Sequence, residues 1–221
     1  MKKYLISVGL IFFIAVIPIQ SQFQLGVKGG FNSTHFNTEN AFKILKNQED
    51  YNLQNVKDDI NSGFNLGAYM RIGLVGKFSL QPELYYNKKS GKTNYLIGEE
   101  NTSTNIPVTE KLEYYSWDIP ILVHFKLLDL RLLNLYALTG PVASFRTNIK
   151  TSFSDVNINE EINKGKSEGV NWNYQLGGGV EVWKLNFDVR YEWGLSNVSK
   201  TELVKKGNSL MFSLGFRLFG L

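Results

Sequence analysis

The chain of 221 residues contains no cysteine. That absence excludes disulfide scaffolds, thiolate zinc sites and cysteine nucleophiles. It also removes the lipoprotein route, which needs a cysteine at the start of the mature chain. Histidine is almost as scarce: His35 and His124 are the only two, too far apart in sequence and too alone in type for a histidine metal cluster. No GxSxG elbow and no phosphate-binding glycine loop occurs. No catalytic, metal-binding or cofactor-binding set emerges, so the chain reads as a non-enzyme that takes no cofactor.

Long apolar runs are equally rare. The one candidate follows Met1-Lys2-Lys3: Tyr4 to Ile19 is uncharged and apolar apart from Ser7. At about 16 residues it is short of the ~20 a membrane-crossing helix needs. Gln20-Ser21-Gln22 then offers a small residue for cleavage. Positive start, apolar centre and small-residue end make residues 1–21 a predicted signal peptide cut near Ser21, leaving a single mature domain over 22–221. No run of 18 apolar residues follows. A membrane protein built from the rest must therefore cross by strands, because only helices and closed barrels satisfy every backbone group in lipid. Charge is also in short supply. The formal net charge of +4 falls to +2 once Lys2 and Lys3 are removed. That is too little to argue for nucleic acid.

Aromatic residues and glycine are abundant, with 11 Tyr, 15 Phe, 4 Trp and 20 Gly against 5 Pro. This mix favours strands and tight turns. The dominant pattern is period two, the strand period. It recurs in segments over 24–36, 62–74, 77–88, 112–125, 133–146, 171–183, 185–195 and 209–221. The clearest is 185–195, where Leu185, Phe187, Val189, Tyr191 and Trp193 alternate with Asn186, Asp188, Arg190, Glu192 and Gly194. The fifth, 133–146, is similarly apolar on both faces, and its phase is open. Pro82, Pro120 and Pro141 lie inside segments and would each delete a ladder hydrogen bond; bulges or local wide spacing are expected there.

The connections alternate as well. Short ones run through Val75-Gly76 and Trp183-Lys184, with about seven residues from Lys126 to Leu132. Long polar ones cover 37–61, 89–111, 147–170 and 196–208. In the first of these, Phe42, Ile44, Leu45, Tyr51, Leu53, Val56 and Ile60 could fold a short helix over the mouth of the barrel or meet a partner. Short turns on one rim and long loops on the other are the pattern of outer-membrane barrels. The predicted fold is all-β: a transmembrane, antiparallel, up-and-down barrel of about eight strands, placed in the outer membrane.

A soluble barrel that binds apolar ligands turns its greasy face inward. Here one face carries large aliphatics and aromatics, which suit lipid, while the other carries Gly, Ser, Asn and charges of both signs. The expected inward set is Lys28, Arg71, Glu83, Asp118, His124, Glu181, Asp188, Arg190, Glu192 and Arg217. In so narrow a bore these should pair, since an unpaired buried charge costs several kcal/mol. An ion path is the alternative use of the same residues.

Several stretches resemble one family. Leu25-Gly26-Val27-Lys28-Gly29-Gly30-Phe31-Asn32 opens the barrel. Leu80-Gln81-Pro82-Glu83-Leu84-Tyr85-Tyr86, Asp118-Ile119-Pro120-Ile121-Leu122-Val123 and Gly140-Pro141 follow, then Gly177-Gly178-Gly179-Val180-Glu181 and Arg190-Tyr191-Glu192-Trp193-Gly194-Leu195-Ser196-Asn197-Val198. Together they resemble the PorT-like outer-membrane β-barrel family over the whole mature chain. The resemblance implies a link to protein secretion but no catalytic or ligand motif. The expected job is therefore structural or accessory, acting through loops and rim, with a small pore for ions or solutes as the alternative. Expected partners are outer-membrane lipid, the barrel-assembly machinery during insertion, and a protein partner at the extracellular loops or periplasmic rim. One departure from outer-membrane barrels generally is the last residue, Leu221, where an aromatic is usual; Phe219 stands two positions earlier.

Overall fold

The computed structural model describes residues 23–39, 51–99, 105–130, 132–154, 162–164, 169–196 and 204–220. The predicted signal peptide lies outside them, as do Phe42, Ile44, Leu45 and Leu221.

Among the described residues nine strands form in chain order: β1 (Phe23–Glu39), β2 (Tyr51–Gly73), β3 (Phe78–Glu99), β4 (Asn105–Asp129), β5 (Leu133–Ser154), β6 (Ile162–Lys164), β7 (Asn171–Val182), β8 (Leu185–Gly194) and β9 (Val204–Gly220). All pair antiparallel. The order β4-β3-β2-β1-β9-β8-β7-β5 is closed by a β4–β5 ladder, giving an eight-stranded barrel with β6 added beside the upper part of β5. Closure leaves no free edge in the wall that must sit in lipid.

Alternation dictates what each face meets. Along β8 every second residue is buried, Asn186 through Gly194, while Leu185 through Trp193 are exposed. The exposed set across the barrel is aliphatic and aromatic, and the buried set is mostly polar or charged. This is the inverse of a soluble core, and it is stable only where the outside is hydrocarbon. Aromatic clusters mark the two edges of the apolar band. Tyr86, Tyr115 and Trp117 pack together near one edge, as do Tyr174, Tyr191 and Trp193. Phe78–Phe125 and Phe23–Phe219 lie at the other. From Tyr115 to Phe125 a strand tilted by ~40° rises ~25 Å, the height of an outer-membrane band.

The strands run far past that band. β4 has 25 residues and β3 has 22, against the 9–11 or so that a tilted crossing needs. Two expectations change accordingly. The stretch 89–111 is not a long loop, because Gly98 pairs with Asn105 and the ladder is continuous from there down to Tyr85–Asp118. Tyr51 to Ile60 belongs to β2 and not to a helix. At the other rim the turns are tight: Leu74–Lys77 and Trp183–Lys184 separate paired strands, and Leu130 N donates to the Leu133 carbonyl at 3.0 Å between β4 and β5. Gly76 (φ 60°) and Trp183 (φ 56°) take the left-handed conformation those turns demand.

The prolines do not bulge the sheet. The ladder skips between Tyr69–Glu83 and Ile72–Leu80 beside Pro82, between Pro82–Ile121 and Tyr85–Asp118 beside Pro120, and between Pro120–Val142 and Val123–Thr139 beside Pro141. In each case it resumes in the same register. A proline removes one donor toward one neighbour only, and the opposite ladder holds the strand in place.

Candidate functional site

The fold gathers its polar chemistry in the bore. Near the short-turn rim, Glu181 of β7 accepts from two arginines, Arg71 Nη1 at 2.7 Å and Arg217 Nη1 at 3.0 Å. Arg71 also donates to Gln81 Oε1 (2.8 Å) and Gln24 Oε1 (3.0 Å). Arg217 reaches the Trp183 carbonyl at 2.8 Å, tying this tier to the strained β7–β8 turn.

The middle tier is the tightest. Arg190 of β8 forms a two-bond fork with Glu83 of β3, Nη1 to Oε2 at 2.5 Å and Nη2 to Oε1 at 2.9 Å. Its Nε donates to Asp188 Oδ1 at 2.8 Å, and Lys28 Nζ meets Asp188 Oδ2 at 2.5 Å. The Tyr136 hydroxyl adds a donor to the same carboxylate at 3.2 Å. Bidentate, fully buried pairs of this kind are the strong ones. Tyr136 lies over Gly179, where an added Cβ would come within 2.6 Å of the tyrosine hydroxyl oxygen. The glycines at 177 and 179 thus make room for Arg190 and Tyr136.

Toward the long-hairpin rim, Glu192 and Asp118 share Lys89, whose Nζ is 2.6 Å from one and 3.2 Å from the other. Asn173 and Gln175 complete Glu192, while Asn87 and Ser144 complete Asp118. The tiers are joined. Gln81 donates to Glu83 at 2.6 Å, and Arg190 donates to Gln175 at 3.4 Å. A single hydrogen-bonded chain therefore runs along the axis from Arg217 to Asp118.

Nine of the ten residues expected in the bore join this chain directly. His124 is inside but apart: its ring faces Tyr136 at 4.7 Å, and neither ring nitrogen has a hydrogen-bond partner among the described residues. Two cations of the bore were not in the expected set. Lys89 continues the inward series Gln81, Glu83, Tyr85, Asn87, but it fell in a stretch read as loop. Arg146 sits on β5, whose inward face is Tyr136, Leu138, Gly140, Val142, Ser144 and Arg146. Tyr136 and Leu138 pack with Leu122 in a small apolar cluster inside the bore, which is why both faces of β5 are greasy.

Chemically, the arrangement is closed. The five acids of the bore are held by cations or amides, and no group of three His, Cys, Asp or Glu suited to a metal occurs among the described residues. A large charged set faces the bore of a barrel whose outside is greasy, and this pattern is matched in sequence by a known family. Residues 19–200 match the outer membrane protein beta-barrel domain. The chain belongs to that family. It is an outer-membrane β-barrel.

Solved structures similar to this barrel include Ail, the attachment invasion locus protein of Yersinia pestis, in complex with the heparin analogue sucrose octasulfate. It is 15% identical with a TM-score of 0.42, over 90% of this chain and 99% of that one. OprG from Pseudomonas aeruginosa is 10% identical with a TM-score of 0.41, over 90% of this chain and 95% of that one. No curated protein matches the chain.

Proposed function

We propose that this outer-membrane barrel is a sealed, non-enzymatic accessory protein that works through its long hairpins and rims and not through its bore. The observation that carries this reading is the unbroken axial chain of ion pairs, joined by Gln81 and Gln175, from Arg217 to Asp118. An eight-stranded bore is about as wide as its side chains, and here each charge is already engaged by its neighbours. Strands of 22–25 residues in β2 to β5 meanwhile lift a rigid paired wall well beyond the membrane. By the usual orientation of such barrels the tight turns face the periplasm and this wall faces outward.

The PorT-like motifs quoted above suggest protein secretion as the process served. Export through a signal peptide cut near Ser21, insertion by the barrel-assembly machinery and a protein partner at the hairpin rim belong to the same reading. The test is deletion of the gene followed by a census of secreted proteins. The reading expects a defined class of exported proteins to be lost. Wild-type barrel should restore them, whereas a barrel with β3 and β4 rejoined below Lys92 and Lys111 should insert normally and restore nothing. Normal secretion with impaired solute uptake would overturn it.

A further inference from the structure

Directly above the Tyr86–Tyr115 stack, the β3–β4 ladder carries the pairs Lys88–Tyr115, Ser90–Glu113 and Lys92–Lys111, with Ser90 itself buried under the Asn61 amide. Lys92 and Lys111 are cross-strand neighbours, an arrangement of like charges that destabilises a sheet unless an anion lies between them. Lys88 and Lys111 both turn to one oxygen of Glu113, at 3.4 and 2.9 Å. Each ammonium carries three donors, so one shared carboxylate oxygen leaves most of them for another acceptor. Glu113 is also the register partner of Lys150, and Asp59 that of Lys92. Lys88, Lys92 and Lys111 thus stand against Glu113 and Asp59, a positive excess on this flank.

The height of the cluster matters. Tyr86, Tyr115 and Trp117 mark the interface between hydrocarbon and headgroups, and Lys88 crosses it with its ammonium 5.9 Å from the Tyr115 ring centre. One or two residues further lies the level of lipid headgroups, where clustered basic residues bind anionic lipid. At the corresponding height the described residues at the upper ends of β7 and β8 include Val170, Trp172 and Leu195, with no lysine among them.

We propose that Lys88, Lys92 and Lys111 form a docking site for the phosphate groups of an outer-leaflet glycolipid, fixing one flank of the barrel against the charged surface of the membrane. The site is independent of whether the bore conducts. Native mass spectrometry of the purified full chain tests it, with bisphosphorylated lipid A, its dephosphorylated form and phosphatidylcholine offered in equal amounts.

The wild type should retain the phosphorylated glycolipid at least about tenfold better than the other two, given the size of single-lysine effects near a membrane surface. Millimolar inorganic phosphate should not displace it. The K88Q/K92Q/K111Q variant should lose the preference while keeping its heat-modifiable mobility, the exposed single change K92Q should weaken it, and E113Q should strengthen it. Equal retention of phosphorylated and dephosphorylated lipid by the wild type would overturn the proposal whatever the variants do. Displacement by free phosphate would overturn the lipid as its source.

Discussion

Arg190 and Glu83 stand 107 positions apart in the chain, yet the guanidinium of one grips the carboxylate of the other through two hydrogen bonds across the bore. Neither side chain is more than 1% exposed. Coulomb attraction between such groups is offset by the cost of taking both out of water, so the pair's net worth is modest while the cost of breaking it is large. Arg190→Met leaves Lys28 as the one cation against Glu83 and Asp188, with Gln81 and Tyr136 as neutral donors. It should destabilise the folded barrel by about 3–5 kcal/mol in urea unfolding from lipid vesicles. Removing the exposed pair Lys126–Asp129, 3.3 Å apart at the short-turn rim, should cost about 0–1 kcal/mol by the same assay. Similar small losses for both would mean that the middle tier is hydrated and weak.

The facing of β8 gives a second prediction. Val189 is exposed on the greasy side and Asp188 is buried beside Lys28 and Arg190. Val189→Arg places a charge in hydrocarbon and should cost about 2–4 kcal/mol, visible as poor insertion into vesicles. Asp188→Asn should insert but unfold at lower urea, since two buried cations lose their counter-charge. Harmless Val189→Arg with blocked insertion of Asp188→Asn would invert the assigned faces.

Adjacent glycines of β7 should behave differently. An added Cβ at Gly179 meets the Phe187 carbonyl and the Tyr136 ring, whereas at Gly178 its closest neighbour is the Tyr136 carbonyl at 3.0 Å. Gly179→Val should therefore destabilise by about 1–3 kcal/mol through overpacking, and Gly178→Ala by clearly less. Equal effects in the same unfolding series would show that Tyr136 does not lie where the bore requires it.

The limits of the sequence reading have physical causes. Seven segments disclose their faces because large apolar residues alternate with polar ones, as lipid outside and a charged bore inside require. β5 hides its phase because Tyr136 and Leu138 fill the bore with apolar bulk opposite Leu122. Lys89 and the upper parts of β3 and β4 look like loop in the sequence for a related reason: above the aromatic girdle there is no lipid to face, so the outer side turns polar and the alternation vanishes although the ladder continues. The pairing of particular charges, such as Arg190 with Glu83 rather than Glu192, depends on the stagger of strands around the barrel. Period-two patterning carries no information about that stagger. For His124 the pattern gave its side of the wall but not its isolation from the charged chain.

Sealing of the bore by this chain of ion pairs is the central claim, and single-channel recording in planar bilayers measures it most directly. Purified wild-type barrel, inserted at low protein density under voltage, should give no steady current. Lys89→Met combined with Arg190→Met should admit intermittent current, because Glu83, Asp118, Asp188 and Glu192 would then lose close cationic partners and draw in water. A large, stable current through the unmodified protein would contradict the sealed bore.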